Sequence, residues 1–203
     1  MDLVPGTRSV VLVEGASDHI ALATLAARRG RDLRAEGIAV VPMGGVTNIG
    51  KFLDRLGPNG LDLELAGLCD AAEARFVGGA LARAGLGADL TVPDMESLGF
   101  YVCVADLEDE LIRSLGTALV EEILDAQGDL GSFRILQKQP AQRAVPHEQQ
   151  LRRFIGTRSG RKAHYAAALV SALDLAHVPR PLDRLLAHVS GRGSGSGRPG
   201  VRR

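Results

Sequence analysis

The chain has 203 residues, of which 45% are hydrophobic and 24% charged, values typical of one soluble globular domain with an appendage. Aromatic residues make up only 3% and Trp is absent, which argues against a binding surface built on many stacked bases. No apolar run approaches the ~20 residues of a membrane span, and the N-terminus lacks the apolar stretch of a signal peptide. We therefore expect a cytoplasmic protein without a membrane segment, in which Cys69 and Cys103 are buried thiols rather than zinc ligands.

Charge is strongly segregated along the chain, although the formal net charge is zero. Residues 1–60 are nearly balanced, residues 61–130 carry three basic and fifteen acidic side chains, and residues 131–203 carry fourteen basic and three acidic ones. Such asymmetry fits a cation-binding zone beside a polyanion-binding zone. Composition by itself favours a plainer explanation, in which the two zones attract each other or are solvated faces.

The hydrophobic pattern over the first 115 residues predicts strands that alternate with helices. Short β-branched runs are typical of buried parallel strands, and apolar residues at steps of three and four indicate helices. The predicted elements are strand 9–13, helix 19–29, strand 38–41, helix 48–56, strand 63–69, helix 71–84, strand 100–104 and helix 107–115. The segment 85–99 is predicted to be a loop. This order predicts an α/β fold, with a parallel sheet of about four strands and helices on both faces.

The character of the sequence changes after residue 116. Short helices are predicted at 118–127, 146–155, 161–173 and 181–189, and the segment 132–143 is mixed and basic. From residue 191 the chain is mostly Gly, Ser and Arg, a composition that cannot form a packed core. We therefore predict an α/β domain over residues 1–116, a basic helical extension packed on it over 117–190, and a disordered tail over 191–203.

Three of the four predicted strands end on a carboxylate, namely Glu14, Asp70 and Asp106. Because ligands bind outside the carboxyl ends of the strands in such sheets, we expect these acids at one edge. Converging acids repel one another unless a cation or a proton relieves them. Each acid could instead cap a helix independently, but the pattern favours a divalent-metal site. Ligands that are all oxygen select magnesium, manganese or calcium over zinc.

The segment Val11–Asp18 resembles the opening motif of Toprim domains, in the form found in the overcoming-lysogenization-defect (OLD) nucleases. There a strand ends in Glu-Gly, and an Asp follows three residues after the Gly. Further segments resemble later elements of the family in the right order, and they are 44–48, 68–70, 104–111 and 160–166. The likeness covers about residues 9–173 and implies a Toprim, Rossmann-like sheet.

The resemblance implies phosphodiester cleavage assisted by Mg²⁺ or Mn²⁺, with two ions in the family mechanism. The metal ligands that it implies are Glu14, Asp18, Asp70, Glu73, Asp106 and Glu108. Glu14 could also serve as a general base or acid, and Lys162 would neutralise charge that develops on the phosphate. Basic side chains that would hold the nucleic-acid backbone without reading its sequence are Arg134, Lys138, Arg143, Arg152, Arg153, Arg158 and Arg161.

Two departures from the family pattern bear on function. Position 72 is Ala where the family has the second acid of an Asp-x-Asp element, and Glu73 could replace it or could be a first-turn helix acid. The sequence contains no P-loop motif, so we expect a stand-alone Toprim chain that acts with a separate ATPase or helicase.

The resemblance therefore implies a nuclease, namely a DNA endonuclease or nickase, with DNA ahead of RNA as substrate. One alternative is a non-catalytic module that binds nucleic acid or protein, for which Ala72 would mark the loss of chemistry. A second alternative is another Toprim enzyme, such as a primase-like nucleotidyl transferase or a small RNA maturase.

Overall fold

A computed structural model describes residues 3–156 and 160–191, and it confirms the predicted α/β fold. One parallel sheet has the strand order β2-β1-β3-β4. Its strands are β1 (Ser9–Val13), β2 (Ile38–Pro42), β3 (Glu64–Asp70) and β4 (Phe100–Cys103). In the register of the sheet, Val11 lies opposite Val40 of β2 and Ala66 of β3. The ends of β1 and β3 therefore lie side by side, at the edge where the sequence predicted the acids.

Helices cover both faces of the sheet. In chain order they are α1 (Ala16–Arg28), α2 (Ile49–Leu56), α3 (Ala74–Arg83), α4 (Val92–Ser97), α5 (Leu107–Leu115), α6 (Thr117–Ala126), α7 (Leu130–Gln137), α8 (His147–Gly156), α9 (Arg161–Ala172) and α10 (Arg180–Gly191). Alternate residues of β1 face opposite sides, as strand geometry requires. Val11 and Val13 pack against α1 and α5–α10, whereas Val10 and Leu12 pack against α2–α4.

The helices after residue 116 share the larger hydrophobic core with the sheet. Tyr165 and Leu169 of α9 are fully buried, as is Leu185 of α10. The guanidinium of Arg28 in α1 also donates a hydrogen bond to the carbonyl oxygen of Val170 at 2.7 Å. This packing fixes α8 and α9 next to the acid-bearing edge, and the domain boundary at residue 116 stays a prediction.

The prediction of a loop over residues 85–99 was wrong, because α4 lies within it. Thr91 and Asp94 form a reciprocal cap at its start, in which the Asp94 carboxylate accepts a hydrogen bond from the Thr91 backbone at 2.9 Å. The helix has only six residues, too few to show helical periodicity in the sequence. Residues 192–203 of the predicted tail lie outside the described residues. None of the described helices is long and apolar enough to cross a membrane.

Candidate metal centre

Three carboxylates converge at the carboxyl edge of the sheet. Glu14 directly follows β1, Asp70 ends β3, and Glu73 stands at the start of α3. A backbone hydrogen bond of 2.9 Å from Glu73 N to the Asp70 carbonyl oxygen shapes the turn between them. One carboxylate oxygen of each residue lies within 4.8 Å of the other two. We call Glu14, Asp70 and Glu73 the acid triad.

The acid triad fits a hard divalent cation. Glu73 Oε2 is buried and has no hydrogen-bond partner among the described residues. Such an oxygen is costly unless a ligand satisfies it. Burial and the charge of Glu14 both raise the pKa of Glu73 above its usual range. An all-oxygen donor set of this kind suits magnesium or manganese better than zinc.

Burial and neighbouring negative charge act together on Asp70. Burial raises the pKa of Asp70 to about 7, with further contributions from the charges of Asp106, Glu73 and Glu14. Burial likewise raises the pKa of Asp18 to about 6, although a hydrogen bond from Gly15 N opposes the shift. Burial is the largest cause of both shifts, and neighbouring negative charges add to it.

A cavity of about 350 Å³ opens beside the acid triad. Its charged lining residues are Glu14, Asp18, Asp70, Asp106, Glu108 and Lys162. The glycine loop after β2 forms another wall, where Gly44 N and Gly45 N donate to the Glu14 carbonyl oxygen at 3.0 and 3.2 Å. Gly44 and Gly45 have φ angles of +70° and +114°, which favour glycine. The loop thus fixes the backbone of Glu14.

Asp106 and Glu108 are held by cations of the protein. Asp106 caps α5 through Oδ1, which accepts from Asp109 N at 2.8 Å, while its Oδ2 accepts from Arg152 Nε at 2.7 Å. Glu108 Oε2 accepts from Lys162 Nζ at 2.8 Å. The hydrogen bond to Asp106 raises the pKa of Arg152 above its usual value. Asp106 therefore acts as a helix cap, in keeping with the simpler hypothesis, and also reaches the cavity.

Lys162 lies on the cavity wall and stays charged. Burial lowers the pKa of Lys162, but the hydrogen bond and the charge of Glu108 outweigh it, so the pKa lies above its usual value.

Asp18 also serves as a cap residue, since its Oδ2 accepts from Gly15 N at 2.9 Å. The structure thus gathers the predicted metal ligands and Lys162 at one edge, where Glu73 lies close to Glu14 and Asp70 but does not line the cavity.

The predicted nucleic-acid-binding residues fall into different environments. Arg152 and Arg153 line a second cavity of about 540 Å³, which shares Asp106 and Lys162 with the first. Lys138 and Arg143 are exposed. Arg134 pairs with Glu121 at 2.6 Å. Arg158 lies outside the described residues.

Arg161 has an interior environment. Its side chain is 9% exposed and pairs with Asp129 at 3.3 Å. The guanidinium carbon lies 4.0 Å from the ring centre of Phe154. These contacts favour a structural role over contact with a phosphate.

The second cavity also contains residues that the sequence did not point to. Gln142 and Gln149 line it, and Gln142 Oε1 is buried without a hydrogen-bond partner among the described residues. No motif surrounds these glutamines, so no sequence signal could have identified them. They give the second cavity neutral polar groups next to its cations.

The geometry agrees with comparisons to known proteins. Residues 7–71 match the family model described as overcoming lysogenization defect protein-like, TOPRIM domain. The C-terminal region of the OLD protein of Xanthomonas campestris pv. campestris superposes with a TM-score of 0.74 at 25% identity, over 93% of this chain and 94% of that one. The corresponding region from Burkholderia pseudomallei gives 0.70 at 19% identity, over 93% and 99%, and supports the fold alone. Comparison with curated proteins gave no match.

The matched residues 7–71 include Glu14, Asp18 and Asp70, and the structural likeness covers 93% of this chain. The resemblance inferred from the motifs is therefore confirmed. At the level of the family, these findings support a metal-dependent role in nucleic-acid processing, and residues 7–71 resemble the Toprim domain of OLD-like proteins.

Proposed function

We propose that this protein is a metal-dependent nuclease that cuts or nicks DNA, assisted by a separate ATPase or helicase. The acid triad is the observation that carries the proposal, because its oxygens lie within 4.8 Å of one another and adjoin a cavity with a lysine on its wall. The second cavity, with Arg152 and Arg153, supports a polyanionic substrate that extends beyond the triad.

The residues divide the chemical work. Glu14, Asp70 and Glu73 would hold one ion, and Asp106 with Glu108 would hold a second. A divalent ion in such a site stabilises negative charge on phosphate oxygens and makes bound water more acidic. Asp18 would take up or release a proton, because burial raises its pKa to about 6. Lys162 would offset charge that develops on the phosphate.

Cleavage assays test the proposal directly. Supercoiled DNA, single-stranded DNA and RNA are incubated with Mg²⁺ or Mn²⁺, and products of wild type are compared with those of Glu14→Ala and Asp70→Ala. Loss of a partner of a metal ligand typically lowers activity by about 10- to 100-fold, so loss of a ligand should cost at least that much. Glu96→Ala is the matched control, because Glu96 pairs with Arg180 instead of facing the cavity.

A binding module without catalysis is the second candidate function. Ala72 supports it, because one acid of the family pattern is missing, and the pairing of Asp106 and Glu108 with protein cations supports it further. If wild type and Asp70→Ala give the same background with every substrate and metal, the nuclease proposal is wrong and the binding module replaces it.

A further inference from the structure

Two ion pairs form the wall between the two cavities. Arg152 of α8 holds Asp106 at 2.7 Å, and Lys162 of α9 holds Glu108 at 2.8 Å. In each pair the acid is buried, with side chains 11% and 6% exposed, whereas the cations are 41% and 44% exposed. Asp106 and Lys162 line both cavities. The cations therefore cover the acids and are themselves accessible from outside.

These pairs conflict with the roles that the proposed function gives to their members. Both oxygens of Asp106 are already engaged, one by Asp109 N and the other by Arg152. An ion held by Asp106 and Glu108 would therefore have to displace or share protein donors. In the same way, a phosphate contacted by Arg152 and Lys162 would compete with the two acids.

We propose that a phosphodiester and the second divalent ion bind cooperatively, by exchange of partners across this wall. The phosphate takes Arg152 and Lys162, and the ion takes Asp106 and Glu108. The inference rests on the proposed function, since it assumes that the cavities hold metal and nucleic acid. It adds that the phosphodiester and the second divalent ion each bind weakly when the other is absent.

Charge balance is the reason for the cooperativity. A phosphate that binds alone leaves two buried acids without a counter-ion, which is strongly unfavourable. An ion that binds alone stands beside two cations that have lost their acids, and like charges repel. When both ligands are present, every charge has a partner. Because coupling between two binding sites is reciprocal, each ligand must raise the affinity of the other by the same factor.

Counting bound Mn²⁺ by electron paramagnetic resonance tests the exchange without an activity measurement. The protein is titrated alone, with a single-stranded phosphorothioate DNA oligonucleotide, and with the methylphosphonate oligonucleotide of the same sequence, whose backbone is uncharged. Ions bound by each oligonucleotide alone are subtracted. We expect one ion per chain alone, two with the phosphorothioate and one with the methylphosphonate. Affinity for the phosphorothioate should in turn rise about tenfold or more with Mn²⁺, within the usual range of coupling.

Variants assign the coupling to the two ion pairs. Arg152→Ala and Lys162→Ala should each let the second ion bind without DNA and bring the coupling factor close to one. Arg152→Gln, which keeps a neutral hydrogen-bond donor, guards against a variant that fails to fold. Arg180→Ala is the matched control, because it removes an arginine that lines neither cavity. Arg180 pairs instead with Glu96, at 2.6 Å.

The outcomes separate this inference from the proposed function. The exchange is overturned if the protein binds one Mn²⁺ ion both with and without the phosphorothioate, or if it binds two ions without any DNA. Either result leaves the nuclease proposal standing. A protein that binds no Mn²⁺ under any condition would overturn the proposed function and the exchange with it. Coupling that persists unchanged in Arg152→Ala, Arg152→Gln and Lys162→Ala would also overturn the exchange.

Discussion

Replacement of Asp70 by Asn is expected to stabilise the metal-free protein at pH 8. Burial and the neighbouring charges of Asp106 and Glu73 raise the pKa of Asp70 to about 7, so at pH 8 its ionised form is crowded. An amide of nearly the same shape removes one charge from this cluster without leaving a void. The same change removes one oxygen ligand of the acid triad, so stability and metal binding should respond in opposite directions.

The size of the effect follows from the shift in pKa. The pKa of Asp70 rises from 3.8 to about 7, which is roughly three units. At about 1.36 kcal/mol per unit, the gain in the free energy of unfolding has an upper limit near 4 kcal/mol. Asp70 is only half-buried, so solvent screening reduces this to about 1–2 kcal/mol. At about 2–4 °C per kcal/mol for a chain of this length, the melting temperature should rise by about 2–8 °C.

The sign of the pH dependence distinguishes this cause from an unrelated change in packing. Between pH 3.8 and about 7 the folded state holds a proton on Asp70 that the unfolded state has released, so the stability of wild type falls as pH rises. Below pH 3.8 both states are protonated and the penalty disappears. The advantage of Asp70→Asn should therefore be full at pH 8 and less than half as large at pH 5.

Thermal unfolding in EDTA at pH 8 and pH 5 measures both quantities. Glu96→Gln is the opposite control, because the hydrogen bond from Arg180 lowers the pKa of Glu96 and its loss should not stabilise the protein. Added Mn²⁺ should raise the melting temperature of wild type more than that of Asp70→Asn. If Asp70→Asn melts no higher than wild type at pH 8 in EDTA, or if its advantage is equal at both pH values, the charge-crowding argument is wrong.

Two further predictions concern the C-terminal helices. Arg153→Ala should weaken DNA binding and reduce the slope of log K against log salt by about 0.7–0.9. Arg180→Ala should leave the slope unchanged. Binding titrations over a range of salt concentrations measure both slopes. Equal slopes for wild type and both variants would remove Arg153 from the DNA interface. Tyr165→Phe should lower the free energy of unfolding in urea by about 1–2 kcal/mol, because the hydroxyl of this buried residue donates a hydrogen bond to Asp129 at 2.8 Å. An unchanged urea midpoint would contradict that role.

The acid-bearing edge could be predicted from the sequence because it depends on local pattern. An apolar run identifies a buried strand in the sequence. The residue after such a strand lies at the carboxyl edge of the sheet, independently of how distant segments pack. Glu14 and Asp70 required only this rule. Glu73 needed the structure, since it stands at the start of α3 as a helix acid would, and its carboxylate still lies close to Glu14 and Asp70. The two explanations offered for Glu73 are therefore compatible.

Contacts between distant segments could not be predicted in the same way. Arg152 is 46 residues from Asp106, and their contact depends on how α8 packs against α5. Arg161 follows the same logic, because only the packing of α9 shows that its guanidinium lies over Phe154 inside the protein. A basic stretch in the sequence therefore combines residues that face a cavity, residues that face solvent and residues of the core.

Attraction between the acidic and basic zones accounts for part of the charge segregation along the chain. Basic residues from the C-terminal helices do neutralise part of the acidic zone, as Arg152 and Lys162 show at Asp106 and Glu108. Within the described part of the chain, however, the acid triad makes no ion pair, and burial together with neighbouring negative charge raises the pKa values of Asp70 and Glu73. A fold selected for stability alone would relieve this repulsion, and proteins typically retain such unfavourable arrangements at functional sites. The unrelieved charge of the triad is therefore the strongest physical reason to place a cation there.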